Sequence, residues 1–465
     1  MIRPNPERKQ TMTSASSERR STWRRVVTIA AIAVSASLAM AGCASTDVTT
    51  TASTGFTAVK QSPKSAITVW VDSTRLPAAK LFKKDNPGTP INIVTYDGDA
   101  NGANTFQTKM SLFDKAGSGW PDVVFDENTT DLGWASSGKT PFAAPVDKGI
   151  IPASTLKNFA TGALDPCTAN GSVYCIRNDI GQNVLWYNKT LMDKFGYQVP
   201  TTWEQYEDLG AQVAKQHPGY VLGAVGDSFA SYIYFWASQC PANVLDGTKF
   251  SSNTGSPDCV RMAKLLDNMI ANGSVTTDAV LTGTTYATKI GPAKTLMSIG
   301  PSWYGQYIFN ASLKVPAGQI AAAAPLKWAS DSKTYTGDVG GGTWFISSHS
   351  KNLKAAAKFV EFVATSDAVQ TSAPTYPAYV PAATKWLANP ANTTYFATDV
   401  APAFSTAAGE VWPGWSASGL VNQQNIWSNT VMPQVLQGKT IESMLPAWQT
   451  QALDLAPTVG YTVKK

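Results

Sequence analysis

The chain has little charge, two histidines and five cysteines in 465 residues, and each scarcity removes a class of function. Only 15% of residues are Asp, Glu, Lys or Arg. The formal excess of +5 lies wholly in residues 1–42, where Arg3, Arg8, Lys9, Arg19, Arg20, Arg24 and Arg25 are opposed only by Glu7 and Glu18. The remainder is neutral, so it has no electrostatic footprint for nucleic acid or an anionic membrane. His217 and His349 stand alone and no C-x-x-C occurs, which leaves nothing from which to build a zinc site. No G-x-S-x-G is present, and "GGG" at 340–342 lacks the Gly-Lys-Ser/Thr of a phosphate loop. "DGDANG", Asp97 to Gly102, opens like a calcium loop, but Thr108 stands where the twelfth-position Glu belongs. No metal and no cofactor are therefore expected.

No apolar run reaches the ~20 residues that span a bilayer. The longest, Val26–Ala41, follows two arginine pairs and ends in "LAMAGC", the pattern of a cleaved export signal. It is similar to the bacterial lipobox, with Met40 where Leu is usual. That similarity makes residues 1–42 a lipoprotein signal peptide and Cys43 the lipidated first residue, held on the outer face of the cell membrane. Four cysteines remain, an even number, as disulfides in an oxidising compartment require. Of three connectivities, spacing favours Cys167–Cys175 and Cys240–Cys259. Residues 43–65, rich in Ser, Thr and Ala, read as a flexible tether with a reach of ~26 Å.

What the chain has in quantity is aromatic residues, 15 Trp, 16 Tyr and 17 Phe, in a regular alternation of patterns. "ITVWV", "INIVTY", "DVVFD", "NVLWYN" and "TLMSIG" read as strands; "DVVFD" is wholly apolar between its two aspartates, as in a buried parallel sheet. "AAKLFKKDN", "NTFQTKMSLFDKAG", "WEQYEDLGAQVAKQ" and "AAAKFVEFVAT" read as helices, with Asn188 and Thr202 as N-caps and a capping box at Thr202–Gln205. Alternating strands and helices indicate an α/β fold.

Four stretches then appear in a telling order: "WPDVVFDENTTDLGWASSG", "VLWYNKTLMDKFG…PTTWEQYEDLGAQVA", "TLMSIGPSWYGQY" and "GGGTWFISSHSKNLKAAAKFVEFV". Together they resemble the extracellular solute-binding proteins of ATP-driven sugar importers, the family that includes maltose-binding protein, over most of residues 66–465. The resemblance implies a two-lobe periplasmic-binding-protein fold of type II, with interleaved lobes joined by a hinge. The first lobe would hold residues 66–178 with 316–366, the second 183–312 with 370–465. It further implies a monomer that closes on a carbohydrate, passes it to ABC permease subunits and catalyses nothing.

Sugars present hydroxyls and apolar ring faces, so their sites need charged or amide groups and flat aromatics. Asp72, Thr74 and Arg75 end the first strand, where ligands bind in open α/β sheets; a solvated Asp–Arg turn is the plainer reading. Asp126, Glu127 and Asn128 end "DVVF", with helix capping as the alternative. Gln182 and Asn183 flank the crossover, where they could instead satisfy hinge backbone. Trp303, with Tyr304 as its rival, matches the family's stacking position, and Tyr232 and Trp427 fall where the family places aromatics. Trp344 follows three glycines, and Trp412 and Trp415 lie in a Gly/Pro loop. Two alternatives stay open: a receptor of the same fold for a non-sugar solute, and a secreted glycoside hydrolase, which would need two carboxyls set across the scissile bond.

Overall fold

A computed structural model describes residues 56–100, 103–138, 141–281 and 283–464. The export signal, Cys43 and residues 44–55 of the tether lie outside the described residues. Residues 56–65 do not behave as a tether. Ala58 is buried, Gln61 Nε2 donates to Ser350 O (3.0 Å) and Gln61 Oε1 accepts from Leu353 N (3.0 Å). Asn352 Nδ2 donates to Pro63 O and Ser65 O. A Ser/Thr-rich composition hid the docking, because it rests on backbone groups and one glutamine rather than on an apolar period.

Two sheets organise the body. The first runs β2–β1–β3–β8–β4, with β1 Ile67–Val71, β2 Ile91–Thr95, β3 Val123–Asp126, β4 Cys175–Arg177 and β8 Thr343–Ile346. β1 pairs parallel with β2 and β3, while β8 is antiparallel to both β3 and β4. β3 is buried at every residue, as its composition predicts, but it is parallel on one side only. Helix α1 (Leu76–Asp85) covers this sheet together with a later helix, α5 (Leu353–Thr365). Phe82 meets Phe359 at 5.1 Å and Phe362 at 5.4 Å. Helix α2 (Thr105–Ala116) presents Phe106 and Met110 to the core.

The second sheet, β6–β5–β7, joins β5 Asn183–Asn188 antiparallel to β6 Met297–Pro301 and to β7 Ile320–Ala323. Trp186 lies at its centre, fully buried against Phe309, Phe396 and Phe404. Around it stand α3 (Trp203–Gln216), α4 (Pro257–Ala271) and α6 (Ile441–Leu455). α3 starts as its sequence predicts: Thr202 Oγ1 accepts from Gln205 N (3.1 Å), and Gln205 Oε1 accepts in return from Thr201 N (2.9 Å). Cys240–Cys259 ties α4 to the preceding loop, and Cys167–Cys175 closes a small hairpin.

Two expected boundaries shift. β7, inside the 316–366 segment assigned to the first lobe, belongs to the second sheet, because its backbone completes the ladder on β5. Residues 378–380, assigned to the second lobe, bond to the first half through Ala160 N→Ala378 O and Val380 N→Asn158 O, both 2.9 Å. Between the sheets, residues 177–183 run beside 336–342, bonded through Asn183 N→Gly337 O and Val339 N→Gly181 O. Arg177 lies at this crossing with no solvent exposure. Its Nη2 is 3.2 Å from Asp338 Oδ2 and 3.0 Å from Gly340 O, and the guanidinium lies 4.8 Å from the Trp415 ring. Gly341 adopts φ +80°, and a Cβ there would fall 2.0 Å from Arg177 Nη2; only glycine fits.

Candidate ligand-binding cleft

The loops after β1 and β3 meet at one guanidinium. Arg75 Nη1 is 3.0 Å from Asp72 Oδ2 and 3.1 Å from Glu127 Oε1, and Nη2 is 3.5 Å from Asp179 Oδ1. Its face rests 4.3 Å from the Phe125 ring. Burial works against the charge, but Asp179, Asp72 and Glu127 outweigh it and raise the Arg75 pKa. Three carboxylates around one cation leave acceptors in surplus. Burial pushes Glu127 up to about 7 against the opposing pull of Arg75, so near neutrality it can either donate or accept a hydrogen bond.

Arg75 forms one wall of a cavity of about 440 Å³, shared with Thr74, Glu127 and Asn128. That volume lies in the range of small-molecule sites. The other wall comes from the segment after β6, where Trp303 stands in the turn just before a helix and Tyr307 in that helix, its N–H donating to Trp303 O at 3.1 Å. Their rings are 6.3 Å apart at 82°, and Trp303 Nε1 is fixed by Val339 O at 2.8 Å. Tyr307 is 40% exposed, unusual for so large a ring. Burial raises the pKa of its hydroxyl, and the positive charge of Arg75 opposes that shift. Gly340–Gly342 line the cavity beside the crossing strands.

Of the residues singled out in the sequence, Thr74, Arg75, Glu127, Asn128 and Trp303 line this cavity, and Asp72 holds Arg75 from behind. The others do not line it. Asp126 is fully buried beside Asp99 and Asp131. Gln182 and Asn183 satisfy backbone, with Gln182 Nε2 on Phe404 O and Asn183 Nδ2 on Tyr232 O. Tyr304 is buried, its ring against Gly300. Trp344 sits in a strand with neighbours on both sides and packs on Phe125 and Phe359, its Nε1 on Asn178 Oδ1 at 3.0 Å. Trp427 packs on Phe235 and Trp448 and donates to Val225 O. Tyr232, Trp412 and Trp415 gather around Trp236. Asp179, Phe229, Tyr307 and Gln424 line the cavity and were not foreseen. Tyr307 alone had a readable signal, its spacing of four from Trp303.

The sequence signature described as "Bacterial extracellular solute-binding protein" matches residues 78–404. The chain belongs to this family. The solute-binding protein is 26% identical over 350 residues to a maltooligosaccharide ABC transporter solute-binding lipoprotein of Streptococcus pneumoniae, covering 71% of this chain and 74% of that one. It is also 26% identical to an arabinooligosaccharide-binding protein of Halalkalibacterium halodurans, over 143 residues that span 30% of either chain. Its fold matches that of the galacto-N-biose-/lacto-N-biose I-binding protein of Bifidobacterium longum, solved with lacto-N-biose. The TM-score is 0.69 at 18% identity, over 87% of this chain and 100% of that one. Among the described residues, no helix of this solute-binding protein is long and apolar enough to cross a membrane.

Proposed function

We propose that the protein is the carbohydrate receptor of an ABC importer, without catalytic activity, held on the outer face of the cell membrane by a lipid on Cys43. The observation that carries this is the pairing across one cavity of Arg75 and its carboxylates with the rings of Trp303 and Tyr307. Hydroxyls need charge-assisted partners and sugar faces need flat apolar ones, and the two walls divide these duties. The oligosaccharide-binding relatives support the same ligand class.

The lobes follow the sheets. The first carries residues 66–178 and the β8–α5 segment; the second carries residues 183–323 and the C-terminal helices. Hinge closure brings the rings onto a ligand resting against Arg75, and the permease reads the closed form. A ligand that favours closure by ~5.5 kcal/mol moves the population from 1:99 to 99:1. The test is a tryptophan-fluorescence titration against mono- and oligosaccharides, with products monitored. Saturable change with one sugar and no products is expected. Product release would move the protein to the glycoside hydrolases, and a silent panel would defeat the carbohydrate reading.

A further inference from the structure

Beneath the first wall of the cavity three carboxylates converge from separate segments. Asp99 comes from the loop before α2, Asp126 from the end of β3 and Asp131 from the turn that follows. One oxygen from each lies within 4.8 Å of the others, and all three residues are buried. None of the ion pairs among the described residues involves them. Asp99 is partly answered by the N-terminus of α2, accepting from Thr105 N at 2.7 Å and from Phe106 N. Asp126 Oδ1 accepts from Asn128 N and Asp131 Oδ1 from Asn128 Nδ2, both at 2.9 Å. The second oxygens, Asp126 Oδ2 and Asp131 Oδ2, are buried with no hydrogen-bond partner among the described residues, on residues only 0% and 4% exposed, although the Trp134 indole acts on Asp131 in favour of its anion.

Buried carboxylates without a partner are not tolerated as bare anions; they take a proton or a cation. We propose that Asp99, Asp126 and Asp131 form a binding site for a divalent cation of calcium size. Calcium takes six to eight oxygen ligands at about 2.3–2.6 Å, and three carboxylate oxygens all within 4.8 Å of one another can share one such ion. Magnesium suits the site less, because it demands a near-ideal octahedron and gives up its waters reluctantly, whereas calcium accepts an irregular shell of carboxylates. Second carboxylate oxygens and water complete the shell. The loop read in the sequence as a failed calcium loop supplies Asp99, and the missing Glu is replaced by acids from a different part of the chain. The ion clamps the turn that offers Glu127 and Asn128 to the cavity, so it preorganises that wall.

The rival occupant is a single proton shared between Asp126 and Asp131, which lie within reach of each other. Calorimetry separates the two. The full chain, stripped with a chelator, is titrated with calcium chloride at neutral pH, beside Asp126→Asn and Asp131→Asn. The expected result is one calcium per chain with a Kd at or below about 10⁻³ M. Each variant should bind at least tenfold more weakly. The melting temperature of the parent should rise with calcium while that of each variant does not. Because Asn keeps the shape and removes a repelling charge, the variants should melt no lower than the stripped parent. The proposal is overturned if the stripped parent takes up no calcium, or if uptake survives in both variants. A parent indifferent to calcium, and stabilised by lowering the pH more than Asp126→Asn and Asp131→Asn are, would assign the site to the shared proton and overturn the proposal. None of these readouts needs a sugar, so they stand apart from the carbohydrate reading.

Discussion

Replacing Asp338 by Asn isolates the charge at the crossing strands. Arg177 and Asp338 have side-chain exposures of 0% and 1%, and their contact is 3.2 Å. Asn keeps an oxygen for the Gly181 N–H, which Asp338 Oδ1 accepts at 2.7 Å, and so removes the carboxylate charge alone. Arg177 is left with the carbonyls of Asp179 and Gly340 and the face of Trp415, and its Nη1 already lacks a partner. Stranding one member of a buried pair costs about 3–5 kcal/mol. Asp338→Asn should therefore lose about 3 kcal/mol, and Asp338→Ala more, since the Gly181 amide is then orphaned as well. Set against a total stability of about 5–15 kcal/mol, either loss is large. The double replacement Arg177→Met with Asp338→Leu removes both charges and should lose less than Asp338→Ala alone, despite the backbone groups it leaves unpaired. Urea unfolding followed by circular dichroism and by tryptophan fluorescence measures this, with coincident transitions as the check on two-state behaviour. A loss below about 1 kcal/mol for Asp338→Ala would refute the claim that this pair holds the crossing together.

Trp303→Ala should weaken sugar binding roughly 10–100-fold, as loss of a central aromatic contact does, while Tyr304→Phe should leave affinity unchanged, because its hydroxyl is buried away from the cavity without a partner. Fluorescence or calorimetric titration of the two variants side by side checks both. Glu127, raised from 4.5 to about 7 chiefly by burial, holds its proton more tightly when folded. Its contribution to stability is present below about 4.5 and lost as pH rises through about 7; melting temperature against pH should fall less steeply in Glu127→Gln than in the parent, the remaining fall coming from other buried carboxyls such as Asp227, raised to about 6. Replacing Cys240 and Cys259 by Ser opens a link across 19 residues of sequence and should cost about 3 kcal/mol, read from the urea midpoint.

Strand ends were legible in the sequence because they depend on local pattern and chain direction. That is why pattern alone sets Thr74, Arg75, Glu127 and Asn128 at the strand ends that line the cavity. Apart from Trp303, the tryptophans are not so legible: Trp344, Trp412, Trp415 and Trp427 lie away from the cavity. A Gly/Pro loop leaves Trp412 and Trp415 without a period, yet that loop folds over Trp236, and Arg177 makes use of the Trp415 face. Trp344 follows glycines that do allow close approach, but what approaches is the protein itself. A Cβ on Gly342 would stand 2.1 Å from the Phe125 ring. Register and sheet partner are likewise non-local, so β7 could not be assigned to β5 from "IAAA", and the meeting of Asp99 with Asp126 and Asp131 depends on β1 setting the end of β2 near that of β3.

The division of chemistry between the walls explains why this architecture suits a receptor. The Arg75 wall belongs to the first sheet and is rigid: its guanidinium is held by carboxylates from two loops and the crossing strand, and it lies flat on Phe125. The ring wall belongs to the second sheet and is anchored to the crossing strand through Trp303 and Val339 O. On the proposed reading, neither wall alone would satisfy a sugar. Hydroxyls bound at Arg75 would leave a ring face in water, and a ring stacked on Trp303 would leave hydroxyls unpaired. Binding energy would then accrue only when both walls engage, which would tie affinity to closure. A ligand bound as well by the open form would shift no population and send no signal to a permease.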